Sequence, residues 1–198
     1  MSPKPPMKAV DYPVLPFTDK QAWAKWLDEE HDRAAGIWLK FAKKNSGIPS
    51  LTYEDAVEVA LCYGWIDGQM KGFDAKYWLQ KFTPRRAKSI WSKINTERAE
   101  RLIARGEMRP AGLREVEAAK QDGRWQAAYA SQKNMTVPQD FQSALNKNKK
   151  ARAFYETLSG ANRYAILFRI ETAKKAETRA RRIEKFVEML ERGEKLYI

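Results

Sequence analysis

Apolar positions near the start of the chain change from the period of a helix to that of a strand. A capping box of Thr18 and Gln21 predicts a helix that carries two tryptophans and a leucine on one side and ends before Gly36. Residues 37–41 then place Ile, Leu and Phe on one side and Trp and Lys on the other. That alternation is the period of a strand.

The next segment predicts a helix followed by a β-hairpin. Thr52 and Asp55 are suited to begin the helix, and Gly64 is placed to end it. Residues 65–71 and 75–82 flank a run of turn residues, so we expect them to pair as antiparallel strands. These elements indicate an α+β fold with a small, mainly antiparallel sheet backed by helices.

Beyond Pro84 the pattern is helical. Thr96 is predicted to cap a helix that stops at Gly106, and Pro110 suits the first turn of the next helix. Residues 131–138 have the composition of a linker. The last predicted helix has an apolar stripe at the spacing of a packed amphipathic helix, made of Ile183, Phe186, Val187 and Leu190.

These patterns divide the chain into three parts. Residues 1–14 are rich in proline, which disfavours helix, and predict an extended arm. Residues 15–130 are predicted to form the α+β domain. Residues 137–196 are predicted to form an all-helical C-terminal domain.

Positive charge is concentrated in the second part of the chain. Residues 1–80 hold 10 Lys+Arg and 11 Asp+Glu, whereas residues 81–198 hold 27 and 14. This excess favours an anionic partner such as nucleic acid, a phosphate-bearing metabolite or an anionic membrane surface. The alternative is that the cations only keep helix surfaces solvated. In the last helix the candidate nucleic-acid-binding stripe consists of Lys175, Arg179 and Arg182. Glutamates are interspersed among these cations, which favours a solvated helix face over a nucleic-acid site.

Several classes of protein are not expected. The chain has no apolar run approaching 18 residues and no apolar segment of a signal peptide at its start, so we expect a cytoplasmic protein without a transmembrane helix. The single cysteine, Cys62, lies in an apolar run and is interpreted as a small buried side chain rather than a nucleophile. The lone His31 has no second histidine or cysteine beside it, so neither a metal site nor a cofactor is predicted.

The segment GWIDG brings a tryptophan and a carboxylate together. Trp65 and Asp67 should point to the same side of the strand that begins there. Asp67 can have a structural role, paired to Arg85 or to backbone N–H groups of the hairpin, which is the interpretation we favour. It can also contact a ligand, or act as a general base.

The segment PRRAKSIWSKIN has the composition of an anion site. Arg85 and Arg86 precede Ser89, which is suited to cap a short helix from about Ile90. A helix N-terminus with adjacent arginines attracts phosphate or carboxylate groups. The alternative is that one arginine stacks on a tryptophan and the other pairs with an aspartate. The candidate ligand-binding residues are Trp65, Asp67, Arg85, Arg86, Ser89, Trp91 and Asn95.

Five segments carry a resemblance to a known family. The segments ALCYGWIDG, FTPRR, SIWSKIN, DGRWQAAY and ETRARRIEKF, in that order, resemble the bacteriocin-protection or OmpD-associated (YdeI-like) family of small bacterial proteins. The resemblance extends from near Trp23 to near Gly193. Its name implies resistance to antimicrobial peptides or an association with the cell envelope.

Three functions are therefore open. The first is a non-enzymatic binding or stress-protection protein of the bacteriocin-protection type, with a Trp/Asp/Arg pocket for a small anionic ligand. The second is a nucleic-acid-associated protein that binds through residues 81–198. The third is an enzyme of unknown reaction centred on Asp67.

Overall fold

The computed structural model describes residues 11–197, so most of the predicted proline-rich arm lies outside the described residues. The strands are Val14–Pro16 (β1), Ile37–Ala42 (β2), Trp65–Gly72 (β3) and Tyr77–Pro84 (β4). The helices are Lys20–Glu30 (α1), Tyr53–Cys62 (α2), Lys93–Ala104 (α3), Pro110–Gln121 (α4), Gln139–Lys147 (α5), Lys149–Thr157 (α6), Gly160–Glu171 (α7) and Ala176–Glu191 (α8). The predicted α+β class, with the sheet in the N-terminal half, is confirmed.

The chain forms two compact units. The first extends to Ser89 and resumes from Asn95 to Gln126, and the second contains Ile90–Ile94 together with the chain from Ala127 onward. Residues 90–94 join the second unit because their backbone pairs with Tyr129. The Tyr129 N–H donates to the carbonyl of Trp91 at 3.0 Å, and the Lys93 N–H donates to the carbonyl of Tyr129 at 2.9 Å.

The sheet of the first unit has the order β1-β2-β4-β3. β2, β4 and β3 are antiparallel neighbours, so the predicted strand and hairpin are confirmed. β1 is parallel to β2 and was not predicted, because three residues beside prolines are too few to show a period. The sheet is therefore mainly antiparallel, with one parallel edge strand.

Side-chain caps fix the starts of the first two helices. The Asp19 carboxylate accepts from the Ala22 N–H at 2.9 Å, so Asp19 caps α1 and the predicted capping box of Thr18 is wrong. The Thr18 hydroxyl instead donates to Asp19 at 2.9 Å, because an adjacent carboxylate is the stronger acceptor. The predicted cap of α2 is confirmed, since Thr52 accepts from the Asp55 N–H at 3.1 Å.

The start of α3 differs from the prediction. Thr96 was expected to cap this helix, but α3 begins at Lys93 and Thr96 is buried within it. The preceding residues pair with Tyr129, so the chain enters the helix one turn earlier than the local pattern indicates. Pro110 does begin α4 as predicted.

The second unit packs α5 to α8 around an apolar core that includes Phe141, Leu145, Ile166 and Leu190. The predicted stripe of α8 faces this core: Phe186 and Leu190 are buried, and Ile183 and Val187 pack against them partly buried. In residues 11–197 no helix has both the length and the apolar composition needed to cross a bilayer.

Gly112 lets α4 approach α2 closely. A Cβ atom at this position would lie 2.6 Å from the carbonyl oxygen of Leu61 and would also contact that of Cys62. Backbone atoms cannot move aside as a flexible side chain does, so the packing of these two helices requires glycine here.

We expect Gly112→Ala to reduce the free energy of unfolding by about 2–3 kcal/mol, the usual cost of overpacking a rigid contact. Gly72→Ala is the matched control, because no atom lies within 4 Å of its added Cβ. That variant should stay within about 0.5 kcal/mol of the parent protein in urea denaturation. Equal stability of the two variants would show that α2 and α4 separate without cost.

Candidate functional site

Trp65 is part of the aromatic core. Its ring is 1% exposed and meets the rings of Trp23 and Trp26 edge to face, at 6.3 and 5.8 Å between centroids. Its indole N–H donates to the carbonyl of His31 at 3.0 Å. The polar atom of Trp65 is therefore engaged within the unit.

Asp67 has a partner that the sequence did not predict. The Tyr53 hydroxyl, at the start of α2, donates to the Asp67 carboxylate at 2.8 Å. Burial raises the pKa of Tyr53, and the Asp67 charge raises it further. Asp67 lies opposite Phe82 of β4, so it faces the helices rather than the outer side of the sheet. The bond joins α2 to β3, in line with the structural role favoured for Asp67.

The PRR segment forms a turn rather than a helix N-terminus. The side chain of Arg85 is buried, whereas Arg86 and Lys88 are exposed. The Ser89 hydroxyl accepts from the Arg86 N–H at 2.9 Å, and the Ser89 N–H donates to the Arg86 carbonyl at 2.8 Å. The prediction of a short helix from about Ile90 is wrong, because residues 91–93 pair with Tyr129 instead. The helix dipole invoked for an anion site is therefore missing from this segment.

The remaining candidates of this group lie in different places. Trp91 is buried and belongs to the second unit, whereas Asn95 belongs to the first. The side-chain oxygen of Asn95 accepts from the Arg98 guanidinium at 3.3 Å.

The arginines of the predicted α8 stripe connect helices. Arg179 donates to the Asp140 carboxylate at 2.6 and 3.0 Å, and this contact holds the pKa of Asp140 below its usual range. Arg182 donates to the carbonyl of Arg169. Lys175 is the residue before the first turn of α8. Two of the three proposed phosphate contacts are thus used within the second unit.

Cys62 borders a cavity of about 390 Å³ in the first unit. The thiol is buried as predicted, and burial raises its pKa to about 11, which keeps it in the unreactive thiol form at neutral pH. On the same cavity the Tyr63 hydroxyl donates to Asp28 at 2.6 Å, and Arg109 donates to that hydroxyl at 3.4 Å. The polar groups of this network therefore bond to one another within the first unit.

A larger cavity, of about 540 Å³, lies in the second unit. Its lining combines apolar side chains with two cations and contains no carboxylate: Gln132, Lys133, Met135, Val137, Tyr155, Gly160, Arg163, Tyr164 and Leu167. The volume is in the range of small-molecule sites, which are mostly apolar with a few polar groups. We refer to it as the C-terminal cavity.

Tyr155 and Arg163 are the distinctive groups of the C-terminal cavity. Tyr155 is 7% exposed, its pKa is raised by burial, and its hydroxyl has no hydrogen-bond partner among the described residues. The guanidinium of Arg163 lies 5.7 Å from the centre of the Tyr155 ring and donates to the carbonyl of Glu156 at 2.5 Å. An unpaired buried hydroxyl costs about 1–3 kcal/mol. Such a group beside a positioned guanidinium is suited to hold a polar ligand atom.

The sequence gives little signal for these residues. Tyr155 lies on the same apolar stripe of α6 as Ala151 and Leu158, which indicates a core position. Arg163 is one of many cations in the basic part of the chain. Their proximity results from the short connection, residues 158–159, between α6 and the start of α7.

Family comparisons match two segments of the chain. Residues 15–115 match a domain of unknown function, DUF8412, and residues 134–193 match the family described as bacteriocin-protection, YdeI or OmpD-associated. The first match covers just over half of the chain, so the chain belongs to the DUF8412 family, and its C-terminal segment is similar to the bacteriocin-protection, YdeI or OmpD-associated family. No curated protein and no solved structure matches the chain.

The OmpD-associated segment contains most of the C-terminal cavity. Seven of the nine lining residues, from Met135 to Leu167, lie within residues 134–193. The GWIDG and PRR motifs lie instead in the segment matched by DUF8412. The two candidate regions therefore belong to different matched segments.

We expect Tyr53→Phe and Asp67→Asn each to reduce the free energy of unfolding by about 1 kcal/mol, because both weaken the same hydrogen bond. The double variant should lose less than the sum of the two in urea denaturation, with a coupling of at least about 0.5 kcal/mol. Tyr63→Phe is the matched control, because Tyr63 donates to Asp28 and not to Asp67. Its loss in free energy of unfolding should add to that of Asp67→Asn. A more stable Asp67→Asn protein would indicate a functional rather than a structural carboxylate.

Proposed function

We propose that the protein is a binding protein of the bacteriocin-protection type that holds a small organic anion in the C-terminal cavity. The observation that carries the proposal is the buried, unpaired hydroxyl of Tyr155 beside the guanidinium of Arg163. The guanidinium would take the negative group of the ligand, and the hydroxyl would donate to it. The aliphatic and aromatic lining would take its apolar body.

The charges of the cavity support an anion over a cation. Within residues 11–197, Lys133 and Arg163 are its charged lining residues, and no lining residue is acidic. Gly160, the first residue of α7, also lines the cavity, so the positive end of that helix adds to the same potential. A guanidinium bonds a carboxylate in bidentate fashion, which favours a planar carboxylate as the anionic group.

The experiment compares benzoate with its neutral analogue benzamide by isothermal titration calorimetry, with indole-3-acetate and octanoate as further probes. We expect benzoate to bind more tightly than benzamide. Arg163→Gln should weaken benzoate binding about 10-fold or more, since a hydrogen bond to a charged group contributes about 1.5–3 kcal/mol. Tyr155→Phe should also weaken binding while raising the stability of the unliganded protein by about 1 kcal/mol or more, because it removes a buried hydroxyl that has no partner among the described residues.

Arg152→Gln is the matched control. It removes the same charge from α6 of the same unit, at an exposed residue outside the cavity lining that pairs with Glu156. Its affinity for benzoate should equal that of the parent protein. Equal losses in Arg152→Gln and Arg163→Gln, or no binding of any of the three anions at millimolar concentration, would overturn the proposal.

The anion site of the PRR segment stays a prediction. Arg86 and Lys88 are exposed on one turn closed by Ser89, an arrangement that supports weak binding of phosphate. We expect millimolar phosphate to raise the melting temperature by mass action on the native state. Arg86→Ala combined with Lys88→Ala should abolish that rise, whereas Arg163→Gln should retain it. The opposite pattern would assign phosphate to the C-terminal cavity.

A further inference from the structure

The outer side of the sheet, opposite the buried ring of Phe82, carries lysines and aromatic rings together. We call it the lysine–aromatic face and define it by Trp38, Lys40, Lys71, Phe73, Tyr77 and Lys81. In the sheet register Trp38 lies opposite Lys81, and Leu79 lies between Lys40 and Lys71. Strand alternation therefore places the strand side chains of this set on one side, and the contact of Phe73 with Lys40 places the Phe73 ring beside them.

Each lysine of the face lies over an aromatic ring. The ammonium of Lys71 is 4.1 Å from the centre of the Trp38 ring, and that of Lys81 is 5.7 Å from the same ring. The ammonium of Lys40 is 4.0 Å from Tyr77 and 4.6 Å from Phe73. Beneath these side chains Leu79 is buried. The cations are thus held near the rings by weak, exposed cation–π contacts.

The charge of the face is uncompensated. The four strands carry three lysines and one carboxylate, Asp67, which bonds to Tyr53 of α2 on the opposite side. Among residues 11–197 none of the three lysines forms an ion pair. Arg179 and Arg182 of α8, by contrast, are engaged by Asp140 and by a carbonyl, respectively.

We infer that the lysine–aromatic face binds single-stranded nucleic acid. A phosphate attracts an ammonium more strongly than a ring does, so the lysines can turn to the backbone phosphates. The rings that they leave then accept unstacked bases, as on other sheet platforms for single strands. Phe73, 50% exposed beside the β3–β4 turn, is already open to such stacking.

The aromatic rings favour a single strand over other polyanions. The bases of a duplex are stacked on each other and offer no free face to a protein ring. A polyphosphate or an anionic lipid surface can use the lysines but gains nothing from stacking. A preference for bases as well as for charge is therefore the property that distinguishes this proposal.

The test measures fluorescence anisotropy of a labelled mixed-sequence DNA 12-mer at 50 mM and 150 mM salt. The variant combines Lys40→Gln, Lys71→Gln and Lys81→Gln, and the control combines Lys147→Gln, Lys149→Gln and Lys150→Gln, three exposed lysines of the second unit. We expect the face variant to lose about 10-fold or more in affinity. Its slope of log affinity against log salt should fall by about 2, since each phosphate contact contributes about 0.7 for single strands. The control should change little.

Phe73→Ala supplies a second test with little effect on folding. This substitution leaves the charge unchanged. It should lower the affinity for single-stranded DNA about 5-fold or more, as expected for the loss of one stacked base, and leave the affinity for polyphosphate unaltered. If the triple face variant does not fold, crosslinking of a 4-thiouracil RNA to the parent protein should label Trp38, Phe73 or Tyr77.

Four outcomes of the experiments with nucleic acid and polyphosphate would overturn the inference. They are equal effects of the two triple variants, equal affinity for duplex or for polyphosphate, crosslinks confined to the second unit, and no binding at low salt. Binding to vesicles containing 30% phosphatidylserine without binding to the oligonucleotide would assign the face to a membrane surface and also overturn it.

Discussion

Two buried indole N–H groups hold the first unit together. Trp23 of α1 donates to the carbonyl of Ala56 in α2 at 3.1 Å, and Trp65 of β3 donates to the carbonyl of His31 after α1 at 3.0 Å. Burial removes both N–H groups from water, and a buried N–H group without a hydrogen-bond partner would cost several kcal/mol of stability. Each of these bonds avoids that cost. Since the two rings also contact each other, α1, α2 and β3 are fixed at one point.

The packing of α1 and α2 on one side of the sheet gives its two sides different properties. The side facing Trp23 is filled with large rings, and its carboxylate, Asp67, is bonded to Tyr53, so it serves mainly as a core. The opposite side retains lysines over aromatic rings. Polar groups available for a partner are therefore concentrated on the outer side.

The second unit combines a well-packed core with one unsatisfied group. Phe141 meets the Tyr155 ring edge to face, with centroids 5.6 Å apart, which orients the tyrosine within the helices. The same packing leaves its hydroxyl without a partner beside a cavity. Proteins tend to retain such energetic costs where a ligand compensates for them. The segment matched to the OmpD-associated family spans α5 to α8, and the cavity is lined by α6, α7 and residues before α5.

The sequence by itself determined what depends on local pattern: the α+β class, the hairpin, the cap at Thr52, the start of α4 at Pro110, the buried Cys62 and the apolar stripe of α8. It did not determine pairings between distant residues. The bond between Tyr53 and Asp67, the placement of Ile90–Ile94 beside Tyr129, and the meeting of Tyr155 with Arg163 each join segments whose local patterns contain no information about each other. Local propensity acts over a few residues, whereas these contacts form when whole elements pack. The tertiary structure alone therefore decided which polar groups are satisfied within the protein and which face a partner.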